Sequence, residues 1–319
     1  MTSSVSKIRP AIEIENLDYS YRGHWLIGKK NILKGITLKV FSGESFGFLG
    51  HNGAGKTTTI KAMLGIAKVR RGTISIFGIN HRDAKARSLI GYLPEHPYFY
   101  DHLTVEEILT MYASLSNIPR TRIPDARKRA LALVKLSERG KAPLRSLSKG
   151  LMQRVGMAQA IIAQPRLLVL DEPFSGLDPI GRKDFKELLV HLKGEGTTIF
   201  MSSHILSDVE FLCDRVSIMS KGEIKGIFNV RDIPSLSTPR FELAVEESEK
   251  SKAKLVPLMS QPRVENGKIV GTFANRPLAD GALKTALESN IRVDSFSTVQ
   301  DSLEDVFVKL VQFDEAKGT

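Results

Sequence analysis

The chain has 319 residues, of which 42% are hydrophobic and 25% are charged, and its formal net charge is +11. These values are typical of a globular protein with one sizeable core and room for a second domain. No apolar run approaches the roughly 20 residues that span a bilayer, and the N-terminus lacks a signal-peptide core, so we expect a cytosolic chain. The single cysteine, Cys213, excludes an internal disulfide or a cysteine-based zinc site and is expected to pack in the core.

The positive charge lies in the first part of the chain. Residues 1–230 carry 34 Lys and Arg against 21 Asp and Glu, a balance of +13, whereas residues 231–319 carry 12 against 14. A basic surface favours anionic ligands, anionic lipid headgroups or nucleic acid, and the charge alone does not choose among them. A solvated basic face beside a phosphate site explains the charge equally well.

Strands and helices alternate over residues 1–230, with a mainly helical insert at 103–163 that Pro124 and Pro143 interrupt. Apolar alternation and short apolar runs predict strands at 11–17, 36–40, 46–49, 72–78, 90–93, 166–170, 197–201, 215–219 and 223–228. Helical spacing predicts helices at 57–64, 103–115, 125–136, 149–163, 182–193 and 205–213. A basic segment, 22–30, separates the first two strands. This order is typical of an α/β domain built on a parallel sheet.

The composition shifts to a linker at 233–239, so we place the first domain at 1–232 and a second domain at 240–319. The second domain is expected to be a small α+β unit. Its predicted strands are 240–245, 268–273 and 291–297, and its predicted helices are 250–260, 278–289 and 300–312.

A glycine-rich segment, which we call the phosphate loop, connects the strand at 46–49 to the helix at 57–64. It fits the pattern G-x-x-x-x-G-K-[ST], in which backbone N–H groups at a helix N-terminus face a phosphate chain. Lys56 is expected to contact the β- and γ-phosphates of a nucleotide, and the Thr57 hydroxyl is expected to bind Mg²⁺. The nucleotide-binding residues predicted here are Gly50, His51, Asn52, Gly53, Ala54, Gly55, Lys56, Thr57 and Thr58.

Two adjacent carboxylates, Asp171 and Glu172, follow the apolar strand at 166–170. They are expected at the carboxyl edge of a parallel sheet, where open α/β sheets bind their ligands. Asp171 is suited to holding Mg²⁺, directly or through water. Because successive side chains of a strand point to opposite sides, Glu172 is available to polarise an attacking water molecule.

Three further motifs occur in a fixed order with the two above. Residues 147–154 read Leu-Ser-Lys-Gly-Leu-Met-Gln-Arg, residues 175–179 read Ser-Gly-Leu-Asp-Pro, and residues 202–204 read Ser-Ser-His. The ordered set resembles the ATP-binding cassette (ABC) family over about residues 11–230. Residues 147–154 are similar to the family's signature sequence, residues 175–179 to its D-loop, and His204 to its switch histidine. The resemblance implies a P-loop NTPase fold with a helical signature subdomain at about 96–164.

The resemblance also implies roles for individual residues. Ser148 and Gly150 would contact a nucleotide held by the other subunit, so two cassettes would close around two ATP molecules. His204 would contact the γ-phosphate and orient the water, and Asp178 would couple the two sites. Tyr21 stands where the family has the aromatic residue that stacks on adenine, although an aromatic residue after an edge strand is often a packing residue.

The chain departs from the family at three positions. Lys149 replaces the second signature glycine and Leu151 replaces the signature glutamine. The loop after the strand at 90–93 has Glu95 where glutamine is usual. Glu95 retains a side-chain oxygen for Mg²⁺ or water and adds a negative charge, or it is simply an exposed loop residue. The predicted Mg²⁺ ligands are therefore Thr57, Glu95 and Asp171, and the predicted catalytic residues are Glu172 and His204.

Pro94-Glu95, the Lys149 signature and the segment 301–307 resemble the ATP-binding subunits of bacterial ABC-2 type exporters. This implies an ATPase that dimerises, as a homodimer, around two ATP molecules and drives a separate integral membrane permease at the cytoplasmic face of the cell membrane. The permease would dock near residues 94–103, where Pro97 to Tyr100 form an aromatic cluster or, alternatively, part of the core.

An alternative function is a soluble ABC ATPase that acts on nucleic acid, ribosomes or a cofactor-assembly complex. Relatives that act on translation usually carry two cassettes in one chain, and those that act on chromosomes carry a long inserted coiled coil. Because the sequence has neither, we expect no nucleic-acid partner. A third alternative, an ABC-fold regulator with little turnover, depends on whether Lys149 and Glu95 impair catalysis.

Overall fold

The computed structural model describes residues 10–21, 30–236, 240–299 and 303–304. The chain divides into two compact units, Met1–Val230 and Arg231–Thr319. Among the residues that the model describes, no helix is long and apolar enough to cross a membrane. Most of the predicted basic segment and, except for residues 303 and 304, the last predicted helix lie outside these residues.

The strands of the first unit form two sheets. They are β1 (Pro10–Tyr21), β2 (Lys30–Phe41), β3 (Ser45–Leu49), β4 (Arg71–Ile76), β5 (Ile79–Asn80), β6 (Ile90–Leu93), β7 (Leu167–Asp171), β8 (Thr198–Ser203), β9 (Arg215–Ser220) and β10 (Glu223–Asn229). An antiparallel sheet has the order β2-β1-β4-β5, and a six-stranded sheet has the order β10-β9-β3-β8-β7-β6. In the second sheet β9, β3, β8, β7 and β6 are parallel. The carboxyl ends of β3, β7 and β8 therefore meet at one edge.

The helices of the first unit are α1 (Lys56–Met63), α2 (Ala84–Arg87), α3 (Val105–Leu115), α4 (Ile123–Leu133), α5 (Lys149–Ile161), α6 (Pro179–Gly194) and α7 (Leu206–Leu212). The predicted helical insert is formed by α3, α4 and α5. Thr104 and Glu107 make a capping box at the start of α3. Pro124 does not interrupt a helix, because it lies in the first turn of α4, where its missing N–H has no intrahelical partner.

The core of the first unit lies between the two sheets and α1. All five residues of β3 are buried, and the rings of Phe46 and Phe48 lie 6.0 and 5.4 Å from the ring of Phe200 on the neighbouring strand. A side chain at Gly47 would place its Cβ 2.6 Å from Val209 Cγ1 of α7. Glycine at this position therefore lets α7 pack directly against the strand that leads into the phosphate loop.

The first two strands are longer than the sequence predicts. The predicted strand 11–17 is part of β1, and the predicted strand 36–40 is part of β2. The two strands pair with several register shifts, and Asn16 has a positive φ of 47°. These irregularities break the alternation of apolar residues while the backbone pairing continues, so the sequence pattern ends before the strand does.

The second unit has the element order strand, helix, strand, strand, helix, strand. Its elements are β11 (Arg240–Glu246), α8 (Glu249–Lys254), β12 (Ser260–Glu265), β13 (Lys268–Phe273), α9 (Arg276–Glu288) and β14 (Val293–Val299). The strands form an antiparallel sheet with the order β12-β13-β11-β14, which is the split βαβ arrangement of ferredoxin-like domains. Its core joins apolar residues of β11 and β13 to the alanine-rich face of α9.

The predicted helix at 250–260 is wrong in its second half. The helix α8 ends at Lys254, Pro257 lies in a short 3₁₀ helix, and β12 follows. All six residues of β12 are exposed, so this edge strand lacks the alternation by which a half-buried strand is recognised. The predicted linker at 233–239 overlaps a 3₁₀ helix at Val230–Leu236.

Asp184 connects α6 to the helical insert. Its carboxylate accepts hydrogen bonds from Lys135 Nζ at 2.6 Å and Arg154 Nη2 at 2.7 Å. The hydrogen bond from Lys135 lowers the pKa of Asp184 most, and the hydrogen bond from Arg154 lowers it further. A lowered pKa stabilises the fold above the ordinary carboxyl pKa of about 3.9, and this contribution is lost as the pH falls through the native pKa.

We therefore expect Asp184→Asn to destabilise the first unit by about 1.5–3 kcal/mol at pH 7, the usual contribution of a hydrogen bond to a charged group. The difference between variant and wild type should begin to shrink below about pH 4, where the carboxyl of the unfolded wild type becomes protonated, and should be lost below the lowered native pKa. The midpoints of urea denaturation of variant and wild type, at pH 7 and in acid below about pH 4, measure this difference in stability. A difference that stays the same in acid would contradict the assigned cause.

Candidate nucleotide-binding site

The phosphate loop joins β3 to α1 in a conformation that requires glycine. Gly53 and Gly55 have positive φ angles of 83° and 114°. At Gly55 a Cβ would also lie 2.7 Å from Met219 Cε and 2.9 Å from Leu33 Cδ2. A side chain here would strain the backbone and clash with the core, so glycine maintains the path of the loop into the helix.

The Lys56 side chain folds back over the loop. Its ammonium donates to the Gly50 carbonyl at 2.6 Å and to the His51 carbonyl at 3.4 Å, and the residue is only 6% exposed. The same ammonium lies 3.2 Å from Glu172 Oε1. The structure therefore brings the phosphate-loop lysine and the predicted catalytic carboxylate together, although they are far apart in the sequence.

Asp171 and Glu172 are held in place by Ser202 on the neighbouring strand. Asp171 and Ser202 are paired across β7 and β8. The Ser202 hydroxyl donates to Asp171 Oδ1 at 2.6 Å and accepts from the Glu172 N–H at 3.1 Å. Burial and the nearby Asp171 carboxylate raise the pKa of Tyr92 on β6 to about 12, so this phenol stays protonated.

Glu172 lies just beyond the end of β7, and its φ is +47°. Its Oε2 atom is 2.9 Å from His204 Nδ1, so the carboxylate lies between the imidazole and the Lys56 ammonium. Glu172 is 9% exposed, and its buried Oε1 atom has no hydrogen-bond partner among the residues that the model describes. The Lys56 ammonium, 3.2 Å from the same oxygen, compensates the charge of this buried carboxylate.

A cavity of about 440 Å³ opens over the phosphate loop. It is lined by Ile32, His51, Asn52, Gly53, Gly55, Lys56, Thr57, Thr58, Glu95 and Glu172. The lysine, the threonine hydroxyls and the loop backbone at the start of α1 form a surface that suits a chain of phosphates. A larger cavity, of about 580 Å³, lies between Arg129 and Leu192 and contains none of these groups.

The predicted adenine contact is not part of this cavity. Tyr21, at the end of β1, is 60% exposed and does not line it. Ile32 of β2 lines it instead and was not predicted, because it lies outside the loop motif. An adenine that stacks on Tyr21 would therefore extend beyond the cavity wall.

The signature and D-loop residues lie at two helix N-termini outside the cavity. Ser148 caps α5, its hydroxyl accepting from the Leu151 N–H at 3.4 Å, and Asp178 caps α6, accepting from the Gly181 N–H at 2.7 Å. Beside them, a Cβ on Gly150 would lie 3.7 Å from Leu177 Cδ2. None of Ser148, Gly150 and Asp178 lines the cavity, so within one chain they do not face the phosphate loop.

The side chains around the cavity fit a hydrated magnesium ion. Thr57 and Glu95 line the cavity, and Asp171 ends the strand beside it. In the described part of the chain, no group of three or more His, Cys, Asp or Glu residues could hold a metal ion by itself. Mg²⁺ prefers oxygen ligands and keeps several water molecules when it binds through one or two carboxylates and substrate phosphates. The few oxygen donors present suit that mode of binding.

The parallel sheet, the glycine loop and the adjacent carboxylates together define a P-loop nucleotide-binding protein. A family model described as ABC transporter matches residues 33–175. An uncharacterised ABC transporter ATP-binding protein of Synechocystis is 38% identical, over 93% of this chain and 84% of the relative. The bacitracin transport ATP-binding protein of Bacillus licheniformis is 37% identical, over 90% of this chain and 94% of the relative.

Solved structures show the same fold. The ATP-binding subunit of an ABC transporter superposes with a TM-score of 0.63 at 33% identity, covering 71% of this chain and 92% of that chain. A dimeric ATP-binding cassette with bound ADP and phosphate superposes with a TM-score of 0.64 at 22% identity. The chain belongs to the ATP-binding subunits of ABC transporters, which are ATPases that dimerise and work with membrane permease subunits. The predicted family, fold class and ATPase activity are thereby confirmed.

Proposed function

We propose that the chain powers an ABC-2 type exporter as a homodimer at the cytoplasmic face of the cell membrane. The observation that carries the ATP-hydrolysing part of the proposal is the convergence of Lys56, Glu172 and His204 beside the phosphate-loop cavity. The export direction is supported by similarity to the bacitracin transport ATP-binding proteins of Bacillus licheniformis and Enterococcus faecalis. The cargo would pass through the permease and would not contact this chain.

Nucleotide binding begins at the phosphate loop. The β- and γ-phosphates of ATP would lie over the loop backbone and attract the Lys56 ammonium, which is already only 3.2 Å from Glu172 Oε1. Thr57, Glu95 and Asp171 would hold Mg²⁺, which neutralises phosphate charge when it is bound. Tyr21 would stack on the adenine beyond the cavity, where its exposed ring is accessible.

Hydrolysis requires a base and a group that senses the γ-phosphate. The Glu172 carboxylate would accept a proton from the attacking water or orient that water. His204 Nδ1–H donates to Glu172 Oε2, so the other ring nitrogen is available for the γ-phosphate. The pair would link the position of the water to the presence of the phosphate that it attacks.

The second subunit would complete each site. Ser148, Gly150 and Asp178 lie at the N-termini of α5 and α6 and outside their own chain's cavity. Helix N-termini attract anions, so these residues would contact the ATP of the other copy in a head-to-tail dimer. ATP would stabilise the closed dimer, and loss of the γ-phosphate would release it.

The expected permease-docking segment has two faces. Pro97 packs near Gly156 of α5, and the Phe99 ring lies edge-on to the Tyr112 ring at 6.0 Å. Tyr98 and Tyr100 are 93% and 60% exposed. The cluster is thus partly a core element and partly an exposed aromatic surface, which is typical of protein contact sites. We assign the exposed tyrosines to the contact with the permease.

Hydrolysis of ATP by the purified chain tests the proposal. We expect phosphate release with Mg²⁺ and its loss when EDTA removes the metal, because the neutral and acidic ligands Thr57, Glu95 and Asp171 supply no positive charge to the triphosphate themselves. The nucleic-acid alternative predicts instead a salt-sensitive affinity for DNA or RNA, with a log–log slope set by the number of phosphate contacts. Activity that is indifferent to EDTA would contradict the assigned metal ligands.

A further inference from the structure

A buried carboxylate on α7 is bound to two cations on α6. The Asp208 residue is 1% exposed, its Oδ2 atom accepts from Arg182 Nη2 at 2.7 Å, and its Oδ1 atom is 2.9 Å from Lys186 Nζ. Arg182 and Lys186 are one helical turn apart, so they share a face of α6. An unpaired carboxylate would be very costly at this depth, so the two cations hold α7 at a defined distance from α6.

A third segment joins this cluster through Phe174. The ring is 5% exposed, and it lies 6.0 Å from the Arg182 guanidinium and 5.8 Å from Lys186 Nζ. Both distances are within the range of cation–π attraction. Phe174 follows Glu172 by two residues, so the cluster also restrains the segment that carries the catalytic carboxylate.

Three members of the cluster, Phe174, Arg182 and Asp208, each lie within four residues after a residue with a proposed role in ATP binding or hydrolysis. Arg182 lies in the first turn of α6, just after Asp178. Asp208 lies in the first turn of α7, just after His204. The next residue of α7, Val209, packs against β3 beside Gly47. A shift of α7 relative to α6 would therefore move the His204 imidazole, which is now 2.9 Å from Glu172 Oε2.

We propose that Asp208 is a positioning residue for ATP hydrolysis. Through Arg182, Lys186 and Phe174 it holds His204, Glu172 and the start of α6 in one arrangement, without touching the nucleotide cavity. This inference rests on the proposed roles of Glu172 and His204. It predicts that loss of the Asp208 charge slows the chemical step more than it weakens ATP binding.

A matched control, Asp184, lies on α6, the helix that carries Arg182 and Lys186. Asp184 also binds two cations, Lys135 and Arg154, at 2.6 and 2.7 Å, but these partners belong to the helical insert. Asp184→Asn and Asp208→Asn both remove one carboxylate charge from a two-cation site. A purely structural role for Asp208 predicts similar kinetic effects for the two variants.

The test compares steady-state ATP hydrolysis by the two variants in the full-length chain. We expect Asp208→Asn to lower kcat about 10-fold or more, as misplacement of catalytic groups does, with KM for ATP changed less than about 2-fold. Asp208→Glu should restore part of kcat, because it keeps the charge, and Asp184→Asn should keep kcat within about 2-fold. Wild-type kcat in Asp208→Asn, or an equal loss in both Asn variants, would overturn the proposal.

Hydrogen exchange provides a readout that does not depend on turnover. The Ile205 N–H donates to Ser203 Oγ at 2.9 Å beside His204. Exchange in residues 202–212 should rise in Asp208→Asn and not in Asp184→Asn. If the wild-type chain does not hydrolyse ATP, the proposed function fails, whereas unchanged exchange in Asp208→Asn overturns the positioning role. If Asp208→Asn does not fold, Lys186→Met takes its place in both experiments, since this change keeps the ion pair between Arg182 and Asp208. A wild-type kcat or unchanged exchange in residues 202–212 of Lys186→Met would then overturn the proposal.

Discussion

Replacing Glu172 with glutamine should reduce ATP hydrolysis by about 100-fold to 10,000-fold, the range that general acid–base groups contribute. The amide keeps the size of the side chain but cannot accept a proton from water. The change also removes a negative charge next to the γ-phosphate site, and Lys56 then faces the phosphates without a competing carboxylate at 3.2 Å. ATP binding should therefore persist or strengthen, and the closed dimer should accumulate.

Size-exclusion chromatography with light scattering measures this outcome in ATP and in ADP. We expect Glu172→Gln to elute as a dimer in ATP and as a monomer in ADP, while the wild type remains mainly monomeric after turnover. Glu187→Gln is a matched control, because Glu187 is an exposed glutamate of α6 whose ion pair with Lys183 is 4.0 Å long. A monomeric Glu172→Gln with ATP bound would contradict closure around two nucleotides.

Replacing Lys56 with alanine should weaken ATP affinity about 10-fold to 100-fold. A hydrogen bond to a charged group contributes about 1.5–3 kcal/mol, and each 1.4 kcal/mol changes a binding constant 10-fold. The variant also leaves the Glu172 carboxylate without its cation. The negative charge of Glu172 then repels the phosphates without compensation. The loss should appear in binding itself, before any chemistry.

Titration calorimetry in the presence of EDTA measures the contribution of Lys56 to ATP affinity without that of the metal. Lys61→Ala is the control, since Lys61 is an exposed lysine of the same helix that does not line the cavity. Thermal denaturation of both variants checks that the fold is intact. If Lys56→Ala binds ATP as tightly as wild type, the phosphate loop has been misinterpreted.

The parts of the fold and site that follow local rules could be predicted from sequence. The phosphate loop has a strict pattern because glycine alone allows its φ angles and its approach to Met219. The buried strand β7 is an unbroken apolar run, so the place of Asp171 and Glu172 at its end follows directly. These motifs also lie in a family order, and this order led to the correct fold class.

Contacts between distant segments could not be predicted in the same way. Ser202 was part of a motif, but its bonds to Asp171 Oδ1 and the Glu172 N–H arise only when β7 and β8 pair in register. The signal was present in retrospect: two serines follow the apolar residues Ile199 to Met201 at the end of a buried strand. Asp208 gave no such signal, because a single acidic residue in a short helix is usually on the surface.

Exposure misled the secondary-structure predictions in the second unit. The edge strand β12 has no buried side, so no alternation marks it, and the predicted helix at 250–260 runs past the end of α8 at Lys254. The contribution of Tyr21 also depends on tertiary detail. Its place at the end of β1 agrees with the motif order, but the cavity wall nearest the loop is formed by Ile32 of β2.

The central proposal, that this ATPase drives a separate membrane protein, is tested most directly by copurification. Tagged Glu172→Gln would be isolated with ATP from gently solubilised membranes, and the proteins retained with it would be identified by mass spectrometry. We predict a multi-span membrane protein in stoichiometric amount, which should be lost when Tyr98 and Tyr100, exposed on the docking segment, are both replaced by serine. Recovery of ribosomes or soluble proteins alone would contradict the transporter role and favour the soluble-ATPase alternative.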